Sequence, residues 1–295
     1  MDGAKRLPLT ADRLTLLSVH AHPDDEASKG AGSVARYHAE GVHTVLVCCT
    51  GGEAGDILNP EMDQPEVRDN LAAVRREELA NAAKIIGYDE VVMLGYRDSG
   101  MPDTEHNSHP ECFAQADFRE AVGRLVAIIR RTKPQVILTY GDDQRGYPHP
   151  DHLRVHDISV AAFDAAADPD AHPWAGEPWQ PLKLYYNVWS RKRMEAVHNK
   201  FLELGLESPF SDDWFKDRPN QDERTTTSID IYGHQDARRD ALLAHRTQVD
   251  PNSKFWFGLP PEVMKELHPF EDYILARSIS EPKLPEDDLF AGIRP

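Results

Sequence analysis

Short apolar runs alternate with segments of helical spacing from residue 14 to residue 188, and this alternation restricts the accessible folds most strongly. The apolar runs cover residues 14–19, 42–49, 91–94, 136–140 and 182–188, and helical spacing covers residues 28–40, 66–86, 118–131 and 152–167. Uniformly apolar strands are typical of parallel sheets, because helices cover both of their faces. We therefore predict an α/β fold with a Rossmann-like, mostly parallel sheet, helices on both faces and a C-terminal elaboration.

A segment rich in proline, aspartate and tryptophan, residues 169–181, is the best boundary within the chain. It divides an α/β core, residues 1–168, from a C-terminal part, residues 169–295. We expect the second part to complete the fold and the ligand pocket within one continuous domain. A further helix is predicted over residues 231–249. Residues 281–295 contain three prolines and little periodicity. We expect them to wrap either the surface of this chain or a neighbouring subunit. In the second case the protein would be a homo-oligomer.

The charge balance excludes several classes of partner. Lys and Arg number 33 against 50 Asp and Glu, so the formal net charge is −17. Such a surface repels phosphates and anionic lipids, so we expect no nucleic acid and no membrane as partner. Residues 1–12 lack the apolar stretch of a signal peptide, and no apolar run has membrane-spanning length. The three cysteines suggest no disulfide framework, so we expect a cytoplasmic protein.

A dense group of metal-capable side chains follows the first predicted strand: His20, His22, Asp24, Asp25 and Glu26. In open parallel sheets, ligands bind in the loops beyond the carboxyl ends of the strands. Surface loops often carry acidic residues for solvation alone. Two histidines beside two aspartates at a strand end are harder to explain in that way.

A second group, His149-Pro150-Asp151-His152, follows the predicted strand at residues 136–140. Pro150 and Asp151 suit the first turn of a helix. His149 would then lie just outside the helix and His152 in its first turn, with both imidazoles facing one point. The alternative is that these histidines only cap a helix. Because both groups lie within residues 1–168, we predict that this core binds a metal.

Two histidines and one aspartate form a ligand set that is typical of catalytic zinc, which keeps one position open for water. Adjacent Asp24 and Asp25 cannot both point at one atom from an extended backbone. One should bind the metal, while the other takes a proton from water. A further imidazole could stabilise the oxyanion or protonate the leaving amine. The spacing leaves open which aspartate has which role.

Other patterns in the chain support weaker interpretations. Gly30-Ala31-Gly32 after a strand resembles a dinucleotide fingerprint, with Glu53 about twenty residues on. The neighbouring carboxylates would repel a pyrophosphate, so close helix packing explains the glycines better. Cys48 and Cys49 are expected to be core residues. An aromatic group fits either the mouth of the pocket or core packing: Trp174, Trp179, Tyr185 and Tyr186.

The two motifs together resemble the LmbE-like family of zinc de-N-acetylases and amidases. The resemblance implies an amide hydrolase in which Asp24 is the general base and His149 stabilises or protonates the tetrahedral intermediate. Asp151 would hold an imidazole, and Tyr147 would help to polarise the substrate carbonyl. One zinc ion per chain is implied, and the same set is compatible with Fe²⁺. Three residues are implied as metal ligands: His22, Asp25 and His152.

Longer segments resemble the amidases of that family, whose small-molecule substrates are mycothiol S-conjugates. These segments cover residues 20–31, 50–60, 184–187, 244–251 and 289–295. Lys29 resembles a lysine typical of the amidases. Arg75 and Asp98 match positions that bind the glucosamine-inositol part of the substrate, and Gln248 approaches the same pocket. We expect three more residues to contact substrate: Glu53, Arg145 and His234.

Two departures bear on specificity. Ala54 stands where the amidases have arginine, and the loop at residues 141–146 is one residue longer, with Arg145 in place of glycine. The metal chemistry is unaffected by either change. The implied reaction is hydrolysis of a mycothiol S-conjugate to an S-substituted N-acetylcysteine and glucosaminyl-inositol. Alternatives are a paralogue for one dedicated conjugate in antibiotic biosynthesis, a deacetylase of N-acetylglucosaminyl-inositol, and a non-catalytic sugar-thiol binding protein.

Overall fold

The computed structural model describes residues 13–294, so the expectation for residues 1–12 lies outside the described range. Within that range a seven-stranded sheet has the strand order β3-β2-β1-β4-β5-β7-β6. The strands are β1 (Thr15–His20), β2 (His43–Thr50), β3 (Glu90–Tyr96), β4 (Val136–Thr139), β5 (Lys183–Val188), β6 (Thr227–Asp230) and β7 (Phe270–Ser278). Strands β1 to β5 are parallel, whereas β7 pairs antiparallel with both β5 and β6. The predicted mostly parallel sheet is confirmed.

Helices cover both faces of this sheet, as predicted. They are α1 (Asp25–Ser28), α2 (Ala31–Ala39), α3 (Pro65–Arg68), α4 (Leu71–Ile86), α5 (Phe118–Thr132), α6 (Pro150–Ala165), α7 (Arg191–Glu203), α8 (Asp212–Lys216), α9 (Gln235–Ala244), α10 (Lys254–Phe257) and α11 (Pro261–Leu267). Helices α2, α4 and α9 share one hydrophobic core with one face of the sheet, and α5 and α6 share another core with the opposite face. Every residue of β1 is buried, as expected of a mainly apolar strand that helices cover on both faces.

Strand β1 lies inside the sheet, with β2 on one side and β4 on the other. The carboxyl ends of β1 and β4 therefore lie side by side, at the point where the chain order of the strands reverses. Ligands bind at this position in open α/β sheets. It is where the two predicted motifs meet.

Two predicted helices differ from the observed ones. The helix predicted over residues 66–86 is interrupted at Asp69 and Asn70, residue types whose short polar side chains compete with helical hydrogen bonds. The helix predicted over residues 231–249 is shortened to α9. It starts after Gly233, whose φ of 86° suits a turn. It ends before Thr247, whose backbone N–H donates to Glu78 over 2.8 Å.

The C-terminal segment packs into this chain's own core. Leu289 and Phe290 are fully buried beside the sheet. Glu286 accepts hydrogen bonds from Lys183 Nζ and from the Tyr185 hydroxyl, each over 2.6 Å. The boundary at residues 168 and 169 falls between β4 and β5, so one sheet joins the two predicted parts. In the described part of the chain, no helix is long and apolar enough to cross a membrane.

Candidate metal centre and substrate cleft

The loop after β1 places adjacent aspartates in different directions. Asp24 has a φ of 123°, a left-handed conformation that L-residues rarely adopt. Directly after it, Asp25 begins α1, and its Oδ2 accepts a hydrogen bond from the backbone N–H of His22 over 3.0 Å. This strained residue separates the two carboxylates, as their expected division of roles requires.

The second motif forms the start of α6, as predicted. His149 precedes the helix, Pro150 and Asp151 occupy its first turn, and His152 follows them. His149 Nδ1 accepts a hydrogen bond from the Asp151 backbone N–H over 3.2 Å. The neutral His149 ring therefore carries its proton on Nε2.

Three side chains from the two motifs converge on one point. Asp25 Oδ2 lies 3.3 Å from His22 Nδ1 and 3.3 Å from His152 Nε2. In a tetrahedral site with bonds of about 2.0–2.2 Å, ligand atoms lie about 3.3–3.5 Å apart. The two distances from Asp25 to His22 and His152 therefore match those around a bound metal ion. Ring nitrogens of His22, His149 and His152 also lie within 4.8 Å of one another.

Acidic side chains hold the far side of the His22 ring. Its Nε2 lies 3.2 Å from Asp151 Oδ2 and 3.5 Å from Asp98 Oδ1. Asp151 is itself fixed by the backbone N–H of Ser99 over 2.9 Å. A metal-binding histidine characteristically donates its second N–H to such a carboxylate, which leaves the first nitrogen free for the metal. The His22 imidazole and the carboxylates of Asp98 and Asp151 also form a second close group of metal-capable atoms.

Protonation preferences differ sharply among these groups. Burial lowers the pKa of His152 to about 3, so its imidazole is neutral, as a metal ligand must be. Burial alone would raise the pKa of Asp25, but Lys29 and His152 hold it well below its usual range. Lys29 Nζ lies 2.6 Å from Asp25 Oδ1. Asp25 is thus an ionised carboxylate at neutral pH.

Asp24 has the opposite tendency. Burial raises its pKa to about 6, although the Arg75 guanidinium opposes the shift. Arg75 Nη2 lies 3.2 Å from Asp24 Oδ2 and donates to the Pro23 carbonyl over 2.6 Å. A carboxylate with a pKa near the working pH is suited to accept and return a proton. Two adjacent aspartates with such different proton affinities are suited to two different roles.

Buried residues to which the sequence analysis gave no role support this centre. The Tyr140 hydroxyl accepts from the Ala21 backbone N–H over 3.1 Å, and its ring stacks on His152 at 4.4 Å between centroids. Below Asp24, the Glu26 carboxylate is paired with fully buried His245. From the sequence, only the general positions of such supporting residues could be predicted, at strand ends and beside the motif.

The centre lies in a cleft with a cavity volume of about 600 Å³. Most of the predicted site residues line it: His22, Asp24, Asp25, Lys29, Arg75, Asp98, Tyr147, His149, His152 and Gln248. Tyr147 is 48% exposed at the mouth, and its hydroxyl lies 3.4 Å from Met101 Sδ. Asp151 is fully buried behind His22.

Three predicted substrate-binding residues do not line this cleft. Arg145 points outward, with its side chain 79% exposed and paired with Asp143 at 2.7 Å. One carboxylate oxygen of Glu53 is buried. His234 directly precedes α9 and is half-buried. The ion pair between Arg145 and Asp143, on the same loop, keeps the Arg145 side chain directed away from the cleft.

The other end of the cleft is aromatic, and the sequence analysis missed it. We call this the aromatic end; it consists of Trp189, Trp214, Phe215, Phe255 and Trp256. Trp189 is stacked on Phe255 at 5.9 Å and Trp256 is perpendicular to Phe255 at 4.7 Å, while Phe210 connects Trp214 to Phe255.

The aromatic residues considered from sequence lie elsewhere. Tyr185 and Tyr186 are buried in the two cores, and Trp179 donates from Nε1 to the Pro134 carbonyl over 2.7 Å. Trp174 is 65% exposed. None of the four lines the cleft.

A buried pair of histidines and an aspartate at strand ends, beside a second aspartate of raised pKa, defines a metal-dependent hydrolytic centre. Comparisons with known proteins agree. Residues 17–163 match the family described as PIG-L: GlcNAc-PI de-N-acetylase. The chain is 48% identical over 292 residues to a mycothiol S-conjugate amidase of Streptomyces coelicolor, covering 96% of this chain and 98% of that protein. The chain belongs to the PIG-L family, which confirms the LmbE-like resemblance and the hydrolase class.

A second relative and two solved structures extend this comparison. A 1D-myo-inositol 2-acetamido-2-deoxy-alpha-D-glucopyranoside deacetylase of Geodermatophilus obscurus is 39% identical over 288 residues, covering 94% of this chain and 97% of that protein. The fold matches an N,N'-diacetylchitobiose deacetylase from Pyrococcus horikoshii with a TM-score of 0.60, 18% identity, and coverage of 90% and 84%. It also matches a 4-carboxy-2-hydroxymuconate hydratase from Pseudomonas putida, with a TM-score of 0.58, 17% identity, and coverage of 92% and 99%. Because this fold also carries a hydratase, the chemistry must be argued from the site.

Proposed function

We propose that this protein is a zinc-dependent amidase that cleaves mycothiol S-conjugates into an S-substituted N-acetylcysteine and glucosaminyl-inositol. The observation that carries the proposal is the junction of a polar metal-capable centre and an aromatic end within one cleft. An acetyl group would leave the aromatic end unfilled, whereas an apolar S-substituent would bury against it. The 48% identical amidase supports the same choice.

We assign zinc to His22, Asp25 and His152, on the two distances to Asp25 and on the protonation states of Asp25 and His152 described above. Zinc bound there would act as a Lewis acid, which lowers the pKa of a bound water to about 7 and polarises an amide carbonyl. Asp151 holds the His22 ring in the orientation that this requires, because it accepts from the nitrogen facing away from Asp25.

Asp24 accepts the proton of the attacking water. Its position, turned away from Asp25 by its left-handed backbone, leaves the carboxylate free for this step. Arg75 helps to keep most of Asp24 ionised at neutral pH, because its positive charge opposes the effect of burial. Arg75 thus acts on the reaction through Asp24.

His149 and Tyr147 face the other side of the reacting carbonyl. His149 carries its proton on Nε2, because Nδ1 accepts from the Asp151 backbone. That N–H can donate to the oxyanion and then protonate the departing glucosamine nitrogen. The Tyr147 hydroxyl at the cleft mouth can add a second donor.

The sugar and the S-substituent occupy opposite ends of the cleft in this proposal. Asp98 and Gln248, at the polar end, offer acceptors to the hydroxyl groups of glucosaminyl-inositol. The aromatic end also offers one donor, since Trp189 Nε1 is buried without an acceptor among the described residues. Three buried free cysteines support a reducing cytoplasmic location.

A direct substrate comparison tests the proposal. The purified zinc-loaded protein is assayed with the bimane conjugate of mycothiol and with N-acetylglucosaminyl-inositol. We expect kcat/KM for the conjugate to exceed that for the acetyl compound by at least about 100-fold, since only the conjugate fills the aromatic end. Preference for the acetyl compound would identify a deacetylase. Turnover of neither, with stoichiometric zinc, would favour a dedicated conjugate or a binding protein.

A further inference from the structure

A second cavity lies behind the aromatic end, between α7, α9 and α11. Its volume is about 370 Å³, within the range of roughly 300–1,000 Å³ typical of small-molecule sites. We call it the arginine pocket; its walls include Arg193, Val197, Arg238, Trp256, Leu259 and Met264. Trp256 and Leu242 line both cavities, so they form a shared wall between this pocket and the catalytic cleft.

Two guanidinium groups face this pocket without a counter-ion. Among the side chains that the structure describes, neither Arg193 nor Arg238 forms a hydrogen bond or an ion pair, and Arg238 Nε is buried without an acceptor. Arg238 rests on the Trp256 ring at 5.6 Å. Burial, and secondly the charge of Arg193, lower the pKa of Arg238 to about 9. Two unpaired like charges in a half-buried cavity are costly unless an anion joins them.

The other charged residues nearby are already engaged. Lys265 is paired with Asp236 at 2.7 Å. Glu271 accepts from the backbone N–H groups of Gly32 and Ser33, over 3.1 and 2.8 Å. The charge of Glu271 acts on both arginines at longer range, and that of Asp272 acts on Arg193. Neither carboxylate forms an ion pair with these guanidinium groups among the described residues, so a single anion in the pocket would be their first direct partner.

We infer that the arginine pocket binds a small organic carboxylate with an apolar body. The carboxylate would bridge the guanidinium groups of Arg193 and Arg238, whose planar donors match its two oxygens. The apolar body would pack on Val197, Trp256 and Met264. This site is separate from the proposed metal centre and does not depend on the amide chemistry.

Calorimetric titration with 4-phenylbutyrate and its neutral analogue 4-phenylbutanamide tests the inference. We expect the acid to bind the full-length protein at least about tenfold more tightly than the amide, because only the acid pairs with the arginines. Inorganic phosphate should bind more weakly than phenylbutyrate. Equal affinity for acid and amide, no binding of either, or tighter binding of phosphate would each overturn the assignment.

Variants locate the binding. Arg238→Met and Arg193→Met should each remove the preference for the acid. Lys200→Met is the matched control, because it removes one positive charge from α7 outside the pocket, where Lys200 is paired with Glu203. It should keep the preference. An Arg238→Met protein that retains the preference would place the carboxylate elsewhere, for example at the metal.

Thermal stability gives an independent readout. If the arginines are retained for a ligand, removing one of two uncompensated charges should stabilise the ligand-free protein. We expect Arg238→Met to raise Tm by about 2 °C or more, and phenylbutyrate to raise Tm only of the unsubstituted protein. A decrease in Tm of several degrees would show that Arg238 serves the fold instead.

Discussion

The two ends of the catalytic cleft are formed by different kinds of chain segment. The polar end comes from loops that directly follow β1 and β4, so short sequence motifs place its side chains. The aromatic end comes from the end of β5 and from α8 and α10, which are far apart in the chain. The first is precise and hydrogen-bonded, whereas the second is apolar and its rings are partly exposed. We therefore expect chemistry to depend on the first end and substrate choice on the second.

Replacing Asp24 should lower the turnover of every substrate. Asp24→Asn removes the proposed base, so kcat should fall by about 1,000-fold for conjugates of any size. Zinc content should stay at one per chain, because Asp24 is not a proposed ligand. Asp63→Asn, which removes an exposed carboxylate outside the cleft, is the control. Retained activity in Asp24→Asn would refute the base assignment.

Truncating the aromatic end should instead act selectively. Trp214→Ala and Phe255→Ala should lower kcat/KM for the bimane conjugate by about 10- to 100-fold, because aromatic burial is lost. Turnover of an S-methyl conjugate should change less than about threefold. Trp174→Ala, outside the cleft, is the matched control. Equal losses for both conjugates would show that these residues serve folding or chemistry rather than selection.

The acid side of the pH profile should be a property of the polar end alone. Because the base must be ionised and its pKa is raised to about 6, kcat/KM should fall as the pH drops below about 6. The same midpoint should appear for large and small conjugates. Different midpoints would mean that the S-substituent changes the environment of the base.

Substitutions of Arg75 extend this test of the pH profile. Its charge lowers the pKa of Asp24, so Arg75→Gln should move the acid midpoint upward, by about one pH unit. Arg75→Lys keeps the charge and should leave the midpoint closer to its original value. An unchanged midpoint in Arg75→Gln would indicate that Arg75 contacts only substrate, as the sequence resemblance implied.

The contrast between the two ends also explains what could be predicted. The alternation of strands and helices predicts the parallel sheet, and that sheet brings His22 and His152 together at adjacent strand ends. Trp214 and Phe255 lie in short helices whose positions depend on the packing of the C-terminal part, which no local pattern encodes. For the same reason His234, on a predicted helix that proved shorter, does not reach the cleft. Arg145 lies outside the cleft lining for a local reason, its pairing with Asp143.

The central claim is that two separate motifs form one metal site, and metal content tests it most directly. His152→Ala removes a proposed ligand, whereas His156→Ala removes a neighbouring histidine of α6 whose Nδ1 contacts the Tyr140 carbonyl oxygen at 3.1 Å. After purification with zinc and dialysis, we expect about one zinc per chain in the unsubstituted protein and in His156→Ala, and less than about a tenth in His152→Ala. A fully loaded His152→Ala protein would contradict the account.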